Sequence, residues 1–145
     1  MDLPANLSYH LTMSHIRPSG TALVLIVALS GCGASLGHSS VPGDRETGLA
    51  VYYSDSLNGK PTASGAPYDK DALTAAHRHL PLGTMVEVTN LSNRRSVVVE
   101  INDRGPFGDS RRIIDLSRAA AERIDMISAG VVEVRLEVLE MPRKK

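Results

Sequence analysis

The chain has no tryptophan, one phenylalanine and one cysteine among its 145 residues, and its formal charges cancel. Each shortage excludes something. With aromatic residues at 3%, a core has to be assembled from Val, Ile, Leu and Ala, which favours a compact β or α+β packing. A single thiol forms no internal disulfide, so the fold stands without covalent staples and Cys32 needs another explanation. Lys plus Arg equal Asp plus Glu at 16 each, which leaves no global field to draw the chain to nucleic acid. Long hydrophobic runs are missing too. The run Ala22 to Leu29 falls far short of the roughly 20 residues that span a bilayer as a permanent helix. What remains is ordinary globular composition, enough for one domain with appendages.

That short apolar run is preceded by His15, Ile16 and Arg17 and followed by Leu29-Ser30-Gly31-Cys32, which reads as a signal peptide. The ending resembles a lipobox, in which small residues fit the signal peptidase and the thiol receives a diacylglyceryl group before cleavage. On this reading residues 1–31 are a lipoprotein signal peptide and Cys32 is the lipidated first residue of the mature chain. Met13 is the better start, because residues 1–12 add a polar stretch ahead of the basic residues. Removing residues 1–31 takes away Asp2 and Arg17, so the mature chain stays neutral and attachment has to come from lipid. Several acyl chains on one cysteine hold firmly where one binds weakly. The expected location is the cell envelope, lipid-anchored. Gly33 after the cysteine leans towards the outer membrane if the organism has one, and otherwise the cell membrane is expected.

Residues 32–47, rich in Gly, Ser, Pro and His, read as a flexible tether. From Gly48 onwards short β-type runs alternate with turn residues. Leu49 to Tyr53 is expected as a first strand and Leu57 to Tyr68 as a Gly/Pro/Ser/Asn-rich loop. Met85 to Asn90 and Ser96 to Ile101 both alternate and form a hairpin around Ser92-Asn93-Arg94. Ser117 to Ile124 has helical spacing, with Asp115 or Ser117 placed to cap it. Val132, Val134, Leu136 and Val138 alternate with polar residues in a last half-buried strand. Domain residues 48–140 then precede a basic tail, 141–145. About six short strands around one short helix predict a small closed barrel of the mainly β class.

Two places could carry chemistry. Asn102-Asp103-Arg104-Gly105-Pro106-Phe107 follows a strong strand, so Asp103 stands where a sheet ends and a rigid turn begins. There it serves either as a general acid or base, given burial or a neighbouring acid, or as an acceptor for turn N–H groups or a partner of Arg104. His77 ends the small-residue stretch Leu73-Thr-Ala-Ala-His, with His79 on the same face if the strand continues. Two His at this spacing can bind a metal, but no further ligands stand at a recognisable spacing, so neither a metal nor any other cofactor is expected.

Taken in order, Leu73-Thr-Ala-Ala-His77, Leu80-Pro-Leu-Gly-Thr84, Val88-Thr-Asn-Leu91, Ser96-Val-Val-Val99, Asn102-Asp-Arg-Gly-Pro-Phe107 and Arg112-Ile-Ile-Asp-Leu-Ser117 resemble the rare lipoprotein A family of bacterial envelope proteins. The resemblance runs from about Gly48 to Glu140. It implies a six-stranded double-psi β-barrel with one or two short helices, similar to that of expansins. It further implies a lytic transglycosylase acting on peptidoglycan, with a preference for glycan strands stripped of stem peptides. Such enzymes cut between N-acetylmuramic acid and N-acetylglucosamine, with the muramoyl 6-hydroxyl as internal nucleophile, and leave a 1,6-anhydro end. Because the sugar supplies its own nucleophile, one well-placed acid can suffice where ordinary glycosidases need two.

By the same resemblance Asp103 is the acid/base, His77 orients it or the substrate, and Asp115 is a second acid whose helix-capping role stays open. Tyr53, Thr62, Asn102 and Arg104 would line the sugar groove. Tyr52 stands where relatives have Trp, which weakens stacking. Where the family has Thr-Ala-Asn-Gly-Glu, this chain has Thr62-Ala63-Ser64-Gly65-Ala66, so an acidic residue implicated in relatives is a methyl here. The expected partners are glycan strands and, through Cys32, a membrane. The protein is expected to be a monomer without nucleic-acid binding, and without the carboxyl-terminal peptidoglycan-binding repeat of many relatives.

Overall fold

The computed structural model describes residues 40–143. Six strands close a barrel in the order β1-β5-β2-β4-β3-β6. They are β1 (Arg45–Tyr52), β2 (Thr74–His77), β3 (Met85–Asn90), β4 (Ser96–Asp103), β5 (Arg112–Leu116) and β6 (Val132–Glu140), with one helix, α1 (Arg118–Arg123), between the last two. A single 3-10 turn, Asp55–Leu57, follows β1. The pairs β1·β5 and β2·β4 are parallel and the other four antiparallel. The expected closed, mainly β architecture is therefore what forms.

Alternation does most of the construction. Along β3 and β4, Val86, Val88, Val97, Val99 and Ile101 point inward and are buried, while the residues between them face out. They join Ala50, Ile114, Leu116, Ile124, Met126, Val134 and Leu136 in one cluster without a buried aromatic ring, with Tyr52 packed against its edge. Small residues on β2, Ala75 and Ala76, let the neighbouring strands approach.

Two boundaries differ from expectation. β1 begins at Arg45, inside the stretch expected as tether, because β6 is long enough to pair with residues 45–50. Arg45 faces solvent there and pairs with Glu137 at 2.9 Å, which explains why the segment lacks apolar periodicity. Helix α1 is capped by Ser117 alone. Its hydroxyl accepts from the Ala120 N–H and donates to the Ala72 carbonyl, so Asp115 is free of the capping role left open to it. The expected lipidation site Cys32 and the last two lysines lie outside the described residues.

Candidate functional site

The site is built where β4 and β5 flank β2. Ala76 pairs with Asp103 on one side and Asp115 on the other, so the two carboxyl groups stand in one row on the same outer face of the sheet. Two strand spacings separate their backbones, about 10 Å. Asp115 reaches this row by alternation, between the inward Ile114 and Leu116, but Asp103 does not. Between Ala75 and Ala76 the register slips, leaving Asn102 unpaired, and a bulge of this kind turns Asp103 away from the face on which Ile101 is buried. A second slip, between Leu49 and Ala50, leaves Ile113 unpaired. It brings Arg112 and Asp115 to one side, where the Arg112 guanidinium meets the carboxylate at 2.7 Å.

Asp103 is half-buried and firmly held. Its Oδ2 accepts from the Tyr53 hydroxyl at 2.8 Å, and its Oδ1 accepts from the backbone N–H groups of Ala63 and Arg104, both at 2.8 Å. A carboxylate offers about four acceptor positions, so one on Oδ2 stays open. Burial and the bond to Asp103 together push the Tyr53 hydroxyl well above its ordinary range, which keeps it a donor. The Tyr53 ring packs edge-on against Tyr68 with centroids 4.8 Å apart. The two tyrosines, Leu57, Lys60, Pro61 and Asp103 line a small cleft of about 100 Å³.

Asp115 lies deeper, with its residue 9% exposed. Desolvation raises its carboxyl above the usual range; Arg112 and Arg78 pull the other way and the charge of Asp103 adds to the rise. Arg78 is held by the carbonyls of Ser110 and Arg112. These two arginines were not singled out from the sequence. The Arg112-x-x-Asp115 spacing would have hidden the pair in any regular strand, since residues three apart point to opposite faces.

The remaining expected residues take other positions. Thr62 is buried, and its hydroxyl binds the Ala66 carbonyl at 2.7 Å and Ser64 Oγ at 2.8 Å, closing its own loop. That loop docks on the strand end through Ser64 N–H to the Asn102 carbonyl and Ala63 N–H to Asp103. Ala66 is exposed on this loop, at the rim of the site. Arg104 turns its Nη1 onto the carbonyls of His77 and Leu80. The His77 ring is not brought to the carboxyl row. Next along β2 from Ala76, it faces the opposite way and its Nε2 meets Glu46 at 3.2 Å, while Nδ1 accepts from the N–H groups of His79 and Leu80. It lines a separate cavity of about 490 Å³ with Arg45, Glu46, Leu136 and Val138. Its bond to Glu46 holds that carboxyl below its ordinary range.

A closed six-stranded barrel with paired parallel strands and two acids at its strand ends defines the class, a double-psi β-barrel. Within that class the family model described as lytic transglycolase matches residues 45–136, and the chain belongs to this family. The resemblance to rare lipoprotein A holds in its relatives. The chain is 52% identical over 97 residues to the endolytic peptidoglycan transglycosylase RlpA of Campylobacter jejuni, covering 67% of this chain and 35% of that one. It is 56% identical over 89 residues to the probable enzyme of the same name from Treponema pallidum, covering 61% and 28%. The chain thus spans about a third of the length of these relatives. Among solved structures it is similar to a Streptomyces papain inhibitor, with TM-score 0.56 and 28% identity over 68% of this chain and 97% of that one. An expansin of Clavibacter michiganensis shares the fold with TM-score 0.54 at 19% identity, covering 70% and 53%.

Proposed function

We propose that this protein is a lytic transglycosylase that cuts peptidoglycan glycan strands between N-acetylmuramic acid and N-acetylglucosamine, leaves 1,6-anhydro ends and prefers strands without stem peptides. The observation that carries this reading is the row Asp103-Ala76-Asp115, in which two carboxyl groups on one face have opposite environments. Such pairs divide acid from base. Asp115, whose carboxyl burial shifts towards the protonated form, gives its proton to the glycosidic oxygen as the bond to the muramoyl C1 breaks. Asp103, fixed by three donors and open at one Oδ2 position, takes the proton from the 6-hydroxyl as that oxygen closes on C1. Each elimination leaves a proton on Asp103 and none on Asp115, and exchange with water restores both. Asp103 thus acts as base, where the sequence suggested that one residue serves as both acid and base.

His77 acts at one remove. Its Nδ1 holds the turn from His77 to Leu80, the carbonyls of that turn hold Arg104, and the Arg104 N–H holds Asp103. Tyr53 holds the other oxygen. The full chain, purified in detergent and incubated with amidase-treated sacculi, should release 1,6-anhydro sugars. Ala66 favours a second reading, a glycan-binding module without turnover. Sedimentation with sacculi but no soluble product would select it. In either case Cys32 carries lipid and holds the barrel at a membrane within reach of the wall.

A further inference from the structure

The one phenylalanine of the chain is 76% exposed. Phe107 stands two residues beyond Gly105, on the turn that continues from Asp103. The barrel buries Tyr68 and packs Tyr52 against its core, yet it leaves its most apolar ring in water, which calls for a reason. Gly105 supplies the context. It has φ +137°, and a Cβ built on it would lie 3.8 Å from each of three atoms: Asp115 Oδ2, the Cβ of Ala76 and Cε2 of Phe107. The missing side chain leaves room for about one methyl group, so the turn stays thin here and brings the exposed Phe107 ring and the Asp115 carboxyl to the two sides of the same glycine. Arg112 binds the other oxygen, Oδ1, of that carboxyl, so Oδ2 is the atom turned towards Gly105.

We propose that the exposed Phe107 ring and Asp115 Oδ2, held on either side of Gly105, form an open subsite for a pyranose ring, the C–H face of one sugar stacking on Phe107 while its polar edge meets Asp115 Oδ2. Such a site combines one flat apolar surface with one oriented polar group, the usual composition of a site that fixes both position and orientation. It places a sugar of the strand directly at the acid. Tyr53 cannot offer the same surface, because its ring is edge-packed on Tyr68 and its hydroxyl is bound to Asp103. The inference rests on the glycan reading above, and its test separates the two.

Since the chain lacks tryptophan, Phe107→Trp in the full chain gives a single emission centre at the subsite. Titration with soluble glycan strands freed of stem peptides should shift its emission to the blue and saturate. Phe107→Ala should weaken sedimentation with denuded sacculi roughly tenfold, the factor that corresponds to about 1.4 kcal/mol, and Phe107→Tyr should restore it. Circular dichroism of all three should match the wild type, as expected for so exposed a position. If the wild type sediments with sacculi while the Trp emission stays unchanged and Phe107→Ala binds equally well, the subsite is overturned. If the wild type itself does not bind, the glycan reading fails instead.

Discussion

Burial raises the Asp115 carboxyl above its ordinary range although Arg112 pairs with it, and that has a consequence for stability as well as for catalysis. A carboxyl whose folded-state pKa is raised binds its proton more tightly when folded. The stability it contributes is complete at pH below its unfolded value and is lost as pH rises through the folded one. Asp115→Asn is neutral throughout and can still accept from Arg112. It should therefore melt no lower than the wild type at neutral pH, lose that relative advantage in acid, and release no product. Melting curves over the acid-to-neutral range check this, and a variant markedly less stable at neutral pH would show that the charged Arg112 pair dominates. The sequence offered the position of Asp115 by resemblance but not its environment, because burial at a strand end depends on the turn Gly105-Pro106-Phe107 that folds over it.

At the scale of elements, register does the work that the residue pattern does not reveal. The alternation of Val97, Val99 and Ile101 was legible and gave the β3·β4 hairpin, the last strand and the closed barrel. Continued by rule it would send Asp103 into the core. The unpaired Asn102 prevents this, and nothing in its side chain announces a bulge. The slip at Ile113 leaves a clearer trace in Gly48, whose absent side chain makes room for it. A Cβ there would meet Ile113 Cγ2 at 2.6 Å and the Arg111 carbonyl at 2.9 Å. Gly48→Ala should destabilise the fold by about 1–3 kcal/mol through overpacking, measured by denaturant unfolding. It should also reduce turnover, because the same slip sets Arg112 beside Asp115.

The turn from His77 to Leu80 is the other element whose role is indirect. His77→Ala removes the acceptor for two backbone N–H groups and should lower kcat about tenfold or more with little change in KM, the order expected for losing hydrogen bonds of this kind. His77→Asn keeps an acceptor and should recover part of the rate. A ring that moves a proton itself would not be rescued in that way. The sequence pointed to His77 because it ends a small-residue strand. The turn of its ring away from the acids and onto Glu46 is fixed by the parity of β2, whose Ala76 already faces them.

On the scale of the whole molecule, the barrel matches the family over residues 45–136, while attachment rests on the residues around Cys32. If lipid on that thiol holds the protein at the membrane, Cys32→Ser should move it from the membrane to the soluble fraction of the envelope without loss of activity on soluble glycan. Fractionation followed by immunoblotting checks the first half and a product assay the second. The neutral charge balance, 16 against 16, makes salt a useful control, since electrostatic attachment would be released by it and a lipid anchor would not.

On the proposed mechanism two carboxyl groups on one face of the barrel divide the labour of an internal transglycosylation. The most direct test is mass spectrometry of the products from glycan strands stripped of stem peptides, with the wild type, Asp103→Asn and Asp115→Asn side by side. Fragments with 1,6-anhydro ends are expected from the wild type and at least a hundredfold loss with each single variant, the range of general acid–base contributions. Fragments with ordinary reducing ends, or 1,6-anhydro release that survives Asp115→Asn, would contradict it.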